Sequence, residues 1–501
     1  MFSFATLKIT IKRFREQRGY QLILVIVLLF VVGTMGLALS KLLVQQILLN
    51  RRQARAEQTY HIAEAGIHYY RWHLAHDPDD FTDGTGGPGP YVHEYTDIDG
   101  NVVGTFTLQI TPPVLGSTIV AVQSTGQVTV GNIPPRTIEA RLGIQSVGQY
   151  AVVADDVMRF GEGTEVFGPI HSNKGIRFDG IAYGQVTSTC DTYNDPDHTG
   201  PNESCVHTHQ PNPSTVFLGG TATGVAPITF SSFTSDLSDL RTLSQNGGVY
   251  LGGSGAQGYL LRFRTDDKVD MYIVNSQQRC QYRLYGQPWR DYSNIWSYNT
   301  TSAFQYLGTS SVGVNLPANG VIFVQDDVWV EGQINGARVT VVAARNPLTT
   351  GNATIVVNND LRYTSNDGSD SIGLIAQTDI SVGFYSENDL IIDASVIARS
   401  GRVGRYYYED YTNAPDNLPT NRFNPVGCGS RLDQSPAGYV HRSVVTLTGS
   451  IITAQRYGFA YTDGTGYGIR NLIWDNNVLF SPPPNFPTIG EYTIMGWDES
   501  N

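Results

Sequence analysis

The sequence predicts an α+β chain: one very long N-terminal helix, then a small antiparallel sheet, then a large and mainly β remainder. Three observations predict it. Residues Gly19 to Ser40 carry no charge, and as a helix they span roughly 33 Å, enough for a bilayer core. No proline interrupts the chain before Pro78. From Tyr91 onward, short runs rich in Val, Ile, Thr and Tyr alternate with Gly, Asn and Asp turns, which is the texture of strands. Over 501 residues, charged side chains make up only 16% and the net charge is −12. That balance fits an exported β body and argues against nucleic-acid binding as a main role, which needs a basic surface.

The helix comes first. Lys8, Lys12, Arg13, Arg15 and Arg18 precede the apolar run, and a basic flank holds the N-terminus in the cytoplasm. Everything after Lys41 is therefore expected outside it, with the chain a single-pass protein of the cytoplasmic (inner) membrane. Beyond the span, Ala63, Gly66, Ile67, Tyr70 and Leu74 recur at helical spacing. One helix from about Tyr20 to His76 is predicted, roughly 85 Å long, with Pro78 as its stop.

The junction Gly19-Tyr20, the apolar run Leu22 to Leu39 and the phrase Ala63-Glu64-Ala65-Gly66-Ile67 resemble the N-terminus of type IV pilins and type II secretion pseudopilins. The last phrase is similar to the minor pilins of PilX type. The resemblance covers the first ~76 residues, the length of that helix. It implies a leader, residues 1–19, removed after Gly19 by a prepilin peptidase, and a methylated Tyr20 as the new terminus. It also implies assembly with other pilin-like subunits through the helix, on an inner-membrane platform. One position departs from the family: the fifth mature residue, Glu in major pilins, is Leu24 here. That departure implies a minor or tip subunit rather than the bulk one.

After the helix at 20–76, residues 77–146 are predicted as a linker and a pilin-like β head. Asp77 to Pro90 is rich in Gly, Pro and Asp, and four alternating runs follow up to Ser146. The exposed half of the helix needs a partner for its stripe, and this sheet is the nearest. Residues 147–501 form the extracytoplasmic body. Runs such as Val321–Gln325, Val339–Ala343, Thr354–Val357 and Ile372–Ala376 lie close together with irregular insertions. That pattern predicts a right-handed parallel β-helix, with a β-sandwich or propeller as the other reading. Leu237, Leu240 and Leu243 predict one inserted helix.

Candidate chemistry is sparse. Cys190, Cys205, Cys280 and Cys428 are an even set for an oxidising compartment. Disulfides Cys190–Cys205 and Cys280–Cys428 are expected. The first pair, with His198, His207 and His209 nearby, also admits a metal reading, but the spacing fits no CxxC pattern, so no metal and no cofactor is assigned. Asp155-Asp156 and Asp326-Asp327 are read as turn caps, since no nearby basic residue completes a carbohydrate-cleaving arrangement. Asp97-Ile98-Asp99-Gly100-Asn101 reads as a hairpin turn, and His171-Ser172-Asn173 as a hydrogen-bonded turn. Tyr406, Tyr407, Tyr408 and Tyr411 are candidate contacts for a surface glycan or protein receptor. No catalytic residue is assigned. The expected function is a minor, pilin-like subunit of a type IV pilus or secretion-like filament, whose β body serves adhesion, capping or assembly priming. The competing classes are a membrane-anchored carbohydrate-active enzyme and a static envelope protein.

Overall fold

A computed structural model describes residues 18–230, 235–275, 280–282, 290–292, 311–408 and 440–500. Residues 1–17 of the expected leader, Tyr411 and Cys428 lie outside them. The chain forms one long N-terminal apolar helix followed by a mostly β body with antiparallel and parallel sheets. It divides into two compact units: residues 1–110, 122–140 and 496–501, and residues 111–121 and 141–495.

In the first unit, α1 runs unbroken over Arg18–His76, 59 residues. Its apolar side chains from Leu22 to Leu49 are exposed, and it is long and apolar enough to cross a membrane. The second half is different. Thr59, Ile62, Ala63, Ile67, Tyr70 and Leu74 are fully buried, the stripe that the spacing predicts. Small residues bring helix and sheet together. A Cβ on Gly126 would lie 2.3 Å from Thr59 O and 2.5 Å from Ala63 N, and one on Gly66 would meet Ser124 and Phe106.

The antiparallel sheet contains β1 (Tyr91–Thr96), β2 (Val102–Thr111), β3 (Ile119–Val128) and β4 (Arg136–Ser146). Its fifth strand is Thr488–Ser500, beside β4. The β1–β2 turn is the expected hairpin: Asp97 Oδ1 accepts from the N–H groups of Asp99 at 2.9 Å and Asn101 at 2.8 Å. The Gly-rich loop before β1 is ordered by Asp80, whose carboxylate takes hydrogen bonds from Thr82, Gly84 and His73.

The second unit is built mainly of parallel ladders, whereas a sandwich pairs its strands antiparallel; Gly258–Arg264, Lys268–Val274 and Ser311–Asn315 add an antiparallel edge to one of them. One ten-stranded sheet contains β5 (Val152–Ala154) and β8 (Ile170–Ser172), with β6 (Met158–Phe160) and β7 (Thr164–Phe167) lying between them in sequence but in two other sheets. The chain enters at β5, in mid-sheet, and steps outward through β8 to Thr221–Ala222. It then restarts at the opposite edge, Val249–Leu251, and returns strand by strand to Ile451–Thr453, which pairs with β5. The register lines up one aliphatic column: Val186, Ile170, Val152, Ile451, Val396, Leu374, Val341 and Ile322. All of them are buried. The neighbouring positions, Val153, Ile452, Ile397, Ile375, Val342 and Phe323, are buried too, packed with Leu237 and Leu240 of α2 (Ser235–Gln245) and with Phe486. The segment that carries the chain from one edge of the sheet to the other thus covers the sheet's outer face. The proline-rich tail also packs here: Thr340 Oγ1 donates to Pro484 O at 2.5 Å and Arg338 Nη2 to Pro482 O at 2.7 Å.

Candidate functional site

Gly19 lies in the first turn of α1 and Tyr20 is exposed; Leu24 faces outward with the rest of the apolar run. Cys190 and Cys205 form a disulfide. Cys280 begins a short strand, but its expected partner Cys428 is outside the described residues.

The tyrosine cluster does not form one surface. Tyr408 is buried, edge-on to Phe384 and 4.9 Å from the Arg405 guanidinium. Tyr406 is half-buried and donates to Asp379 Oδ2 at 2.6 Å. Tyr407 is exposed, with its hydroxyl donating to Asp463 Oδ2 at 2.8 Å. Of the four candidates, Tyr407 is the one among the described residues that is exposed, and its ring lies edge-on to Tyr461 at 5.0 Å. Local sequence could not separate them, because alternate residues of an extended segment point to opposite sides.

The acidic pairs are structural. Arg345, remote from Asp326-Asp327 in sequence, reaches Asp326 Oδ1 at 2.5 Å and Asp327 Oδ1 at 2.9 Å. This corrects the expectation that no basic residue lies near them. Burial works against the charge of Asp326, but hydrogen bonds from Ser254 and Arg345 hold its pKa below the ordinary value. For the deeper Asp327, burial wins and the pKa rises. Asp156 pairs with Lys174 at 2.9 Å. His171 is buried in register with Val153 and holds Thr187 Oγ1 at 2.9 Å and Asn173 Oδ1 at 3.3 Å. Desolvation lowers its pKa, with Asn173 opposing. It occupies a ladder position that is aliphatic in Val153 and Ile452, so His171 and Ser172 lie in a strand and not in the expected turn.

The second unit also carries a cleft of about 910 Å³ whose lining includes Arg159, Arg177, Arg402, Arg456, Glu162 and Asp197. Local sequence gave no sign of it, because its walls come from residues 159–210 and 402–470. Its carboxylates are all engaged. Asp197 accepts from Arg456 Nη2 at 2.5 Å, which keeps it below its ordinary pKa. Asp179 is held by Arg177 Nε at 2.8 Å, and Glu162 accepts from Gln210 Nε2 at 2.8 Å. An Asp197 held charged by Arg456 suits recognition of polar groups better than proton transfer, for which a carboxyl must change its protonation near working pH.

Fold and site together define a class: a membrane-capable helix with an antiparallel sheet, bearing a β domain of parallel ladders. No protein-family model matches the chain, and no curated protein matches it. Among solved structures, the chain is similar to the competence-associated pilin ComZ from Thermus thermophilus, at 12% identity and a TM-score of 0.27 over 89% of this chain and 97% of that one. At that score the likeness defines neither fold nor function.

Proposed function

We propose that this chain is a minor, pilin-like subunit, and that its β domain is the adhesive, capping or priming head of a filament. The observation that carries this reading is α1 itself. One unbroken helix leaves Leu22 to Leu49 exposed for lipid or neighbouring helices, then buries Ile62 to Leu74 on its own sheet. A signal anchor needs only the first half; a subunit that exchanges membrane for filament uses both. Leu24 where bulk subunits carry Glu supports a non-bulk position, since no charge there awaits a neighbour's amine. The Cys190–Cys205 disulfide supports an extracytoplasmic body. In this reading the parallel ladders coil right-handed, the helix meets other pilin-like subunits and an inner-membrane platform, and the cleft with Tyr407 serves contact with a glycan or protein rather than catalysis.

Mass spectrometry of the N-terminus from envelope or filament material tests the reading. The expected terminus is a methylated Tyr20, and Gly19→Leu should abolish it. An intact Met1 terminus in assembled material, or polysaccharide depolymerisation that disappears with Asp326→Ala, would overturn it.

A further inference from the structure

Asp195, Glu203, His207 and His209 converge beside the Cys190–Cys205 disulfide, with one ligand-type atom from each lying within 4.8 Å of all the others. His207 Nε2 is 3.0 Å from Glu203 Oε2 and 3.7 Å from Asp195 Oδ2, and His209 Nε2 is 3.4 Å from the same Glu203 Oε2. Four donors around a tetrahedral zinc, each about 2.0–2.2 Å from it, lie about 3.3–3.6 Å apart. The three separations above bracket that edge, and the other three lie within 4.8 Å.

His209 already shares a hydrogen bond with Glu203, but two buried atoms at the centre of the cluster are unsatisfied. Asp195 is 4% exposed, yet its Oδ2 has no hydrogen-bond partner, and neither does His207 Nε2. Arg177 Nη1 is 3.7 Å from that oxygen, beyond hydrogen-bonding distance, and its Nε is committed to Asp179. The tautomer of His207 sharpens the point. Its Nδ1 is 3.1 Å from Ser204 O, and a carbonyl only accepts, so Nδ1 carries the hydrogen. In the neutral ring Nε2 is then a lone pair aimed at two carboxylates. A cation between them resolves the conflict, and a backbone carbonyl on the far nitrogen is the usual partner of a metal-bound histidine.

The scaffold is rigid where it must be. His207 lies in register with Arg177 on a parallel ladder. Glu203 pairs with Tyr193 across a two-stranded ribbon. The His209 N–H is fixed to Asp179 Oδ1 at 3.0 Å. The disulfide ties the ribbon to the ladder and takes both cysteines out of the donor set.

We infer that Asp195, Glu203, His207 and His209 form a closed, tetrahedral zinc site that fixes the disulfide loop to the β domain. Two imidazole nitrogens favour a transition metal over calcium or magnesium, which take oxygen donors. The two carboxylates balance the charge of a divalent ion, and four protein donors leave no open position, as in structural sites.

The test uses the full chain in detergent, without a histidine tag, stripped by chelation and titrated with Zn²⁺ against a competing chelator. About one equivalent should survive desalting, with X-ray absorption showing nitrogen and oxygen neighbours alone. His207→Ala combined with His209→Ala should remove it. His209→Ala alone, at an exposed side chain, should weaken binding at least about tenfold with the circular-dichroism melt of the metal-free protein unchanged. That variant decides the question if the double one misfolds. No retained zinc in the unsubstituted chain, undiminished binding in His209→Ala, or a sulfur neighbour would overturn the site.

Discussion

The two units solve the same problem, burying apolar surface, in opposite ways. The first lays one face of a helix on one face of an antiparallel sheet. Only alternate positions are buried there, as in β3 with Val120, Val122 and Ser124. The second stacks short parallel strands, and the inner strands of its ten-stranded sheet are covered on both faces. Val321–Val324 and Ser371–Ala376 are buried at every position, the pattern of strands enclosed on two sides. The difference teaches where tolerance lies. A one-sided element has a solvent face that accepts polar change, whereas a two-sided strand has none.

The largest effect should come from the two-sided region. Val341→Asp places a charge in the middle of the aliphatic column between Ile322 and Leu374. We expect a loss of more than about 4 kcal/mol, read as collapse of amide-exchange protection throughout the ladders. If protection is lost only around residue 341, the ladders do not fold as one column and the comparison fails.

A smaller effect is expected at the helix–sheet contact. In Gly126→Val the new side chain meets backbone atoms of Thr59 and Ala63, which cannot swing aside. The cost should be about 1–3 kcal/mol, seen as faster exchange in residues 59–74 while the ladders keep their protection. Equal loosening of both units would show that they do not respond separately.

The smallest effect is a pH dependence confined to the first unit. Hydrogen bonds from the Thr82 side chain and backbone, with Gly84 and His73, hold the Asp80 carboxyl at about 2 against an ordinary 3.8. A depressed carboxyl stabilises the fold above its ordinary value, and that contribution is lost as pH falls from about 4 to about 2. Asp80→Asn should flatten the acid dependence of protection in residues 77–90. An unchanged acid profile would assign the dependence to other groups.

Much of the first unit was legible because its signals are local. The charge-free run, the proline-free stretch and the spacing of Ala63, Ile67, Tyr70 and Leu74 each report on one helix. Asp97-Ile98-Asp99-Gly100-Asn101 reports on one turn. The disulfide followed from spacing and compartment. Other features were not local. Arg345 reaches Asp326-Asp327 only through the ladder's stacking, and Tyr406, Tyr407 and Tyr408 differ in exposure because of what packs on each side of them.

The sequence by itself determined the helix, its apolar and striped halves, and the presence of short buried strands, because periodicity and charge act within a few residues of one another. Only the tertiary structure decided that the chain enters its ten-stranded sheet in the middle, returns from the far edge to pair Ile451 with Val152, and sends Thr488–Ser500 back to β4. Such pairings are set by register and loop closure between distant segments, and no local pattern encodes which edge a strand will find.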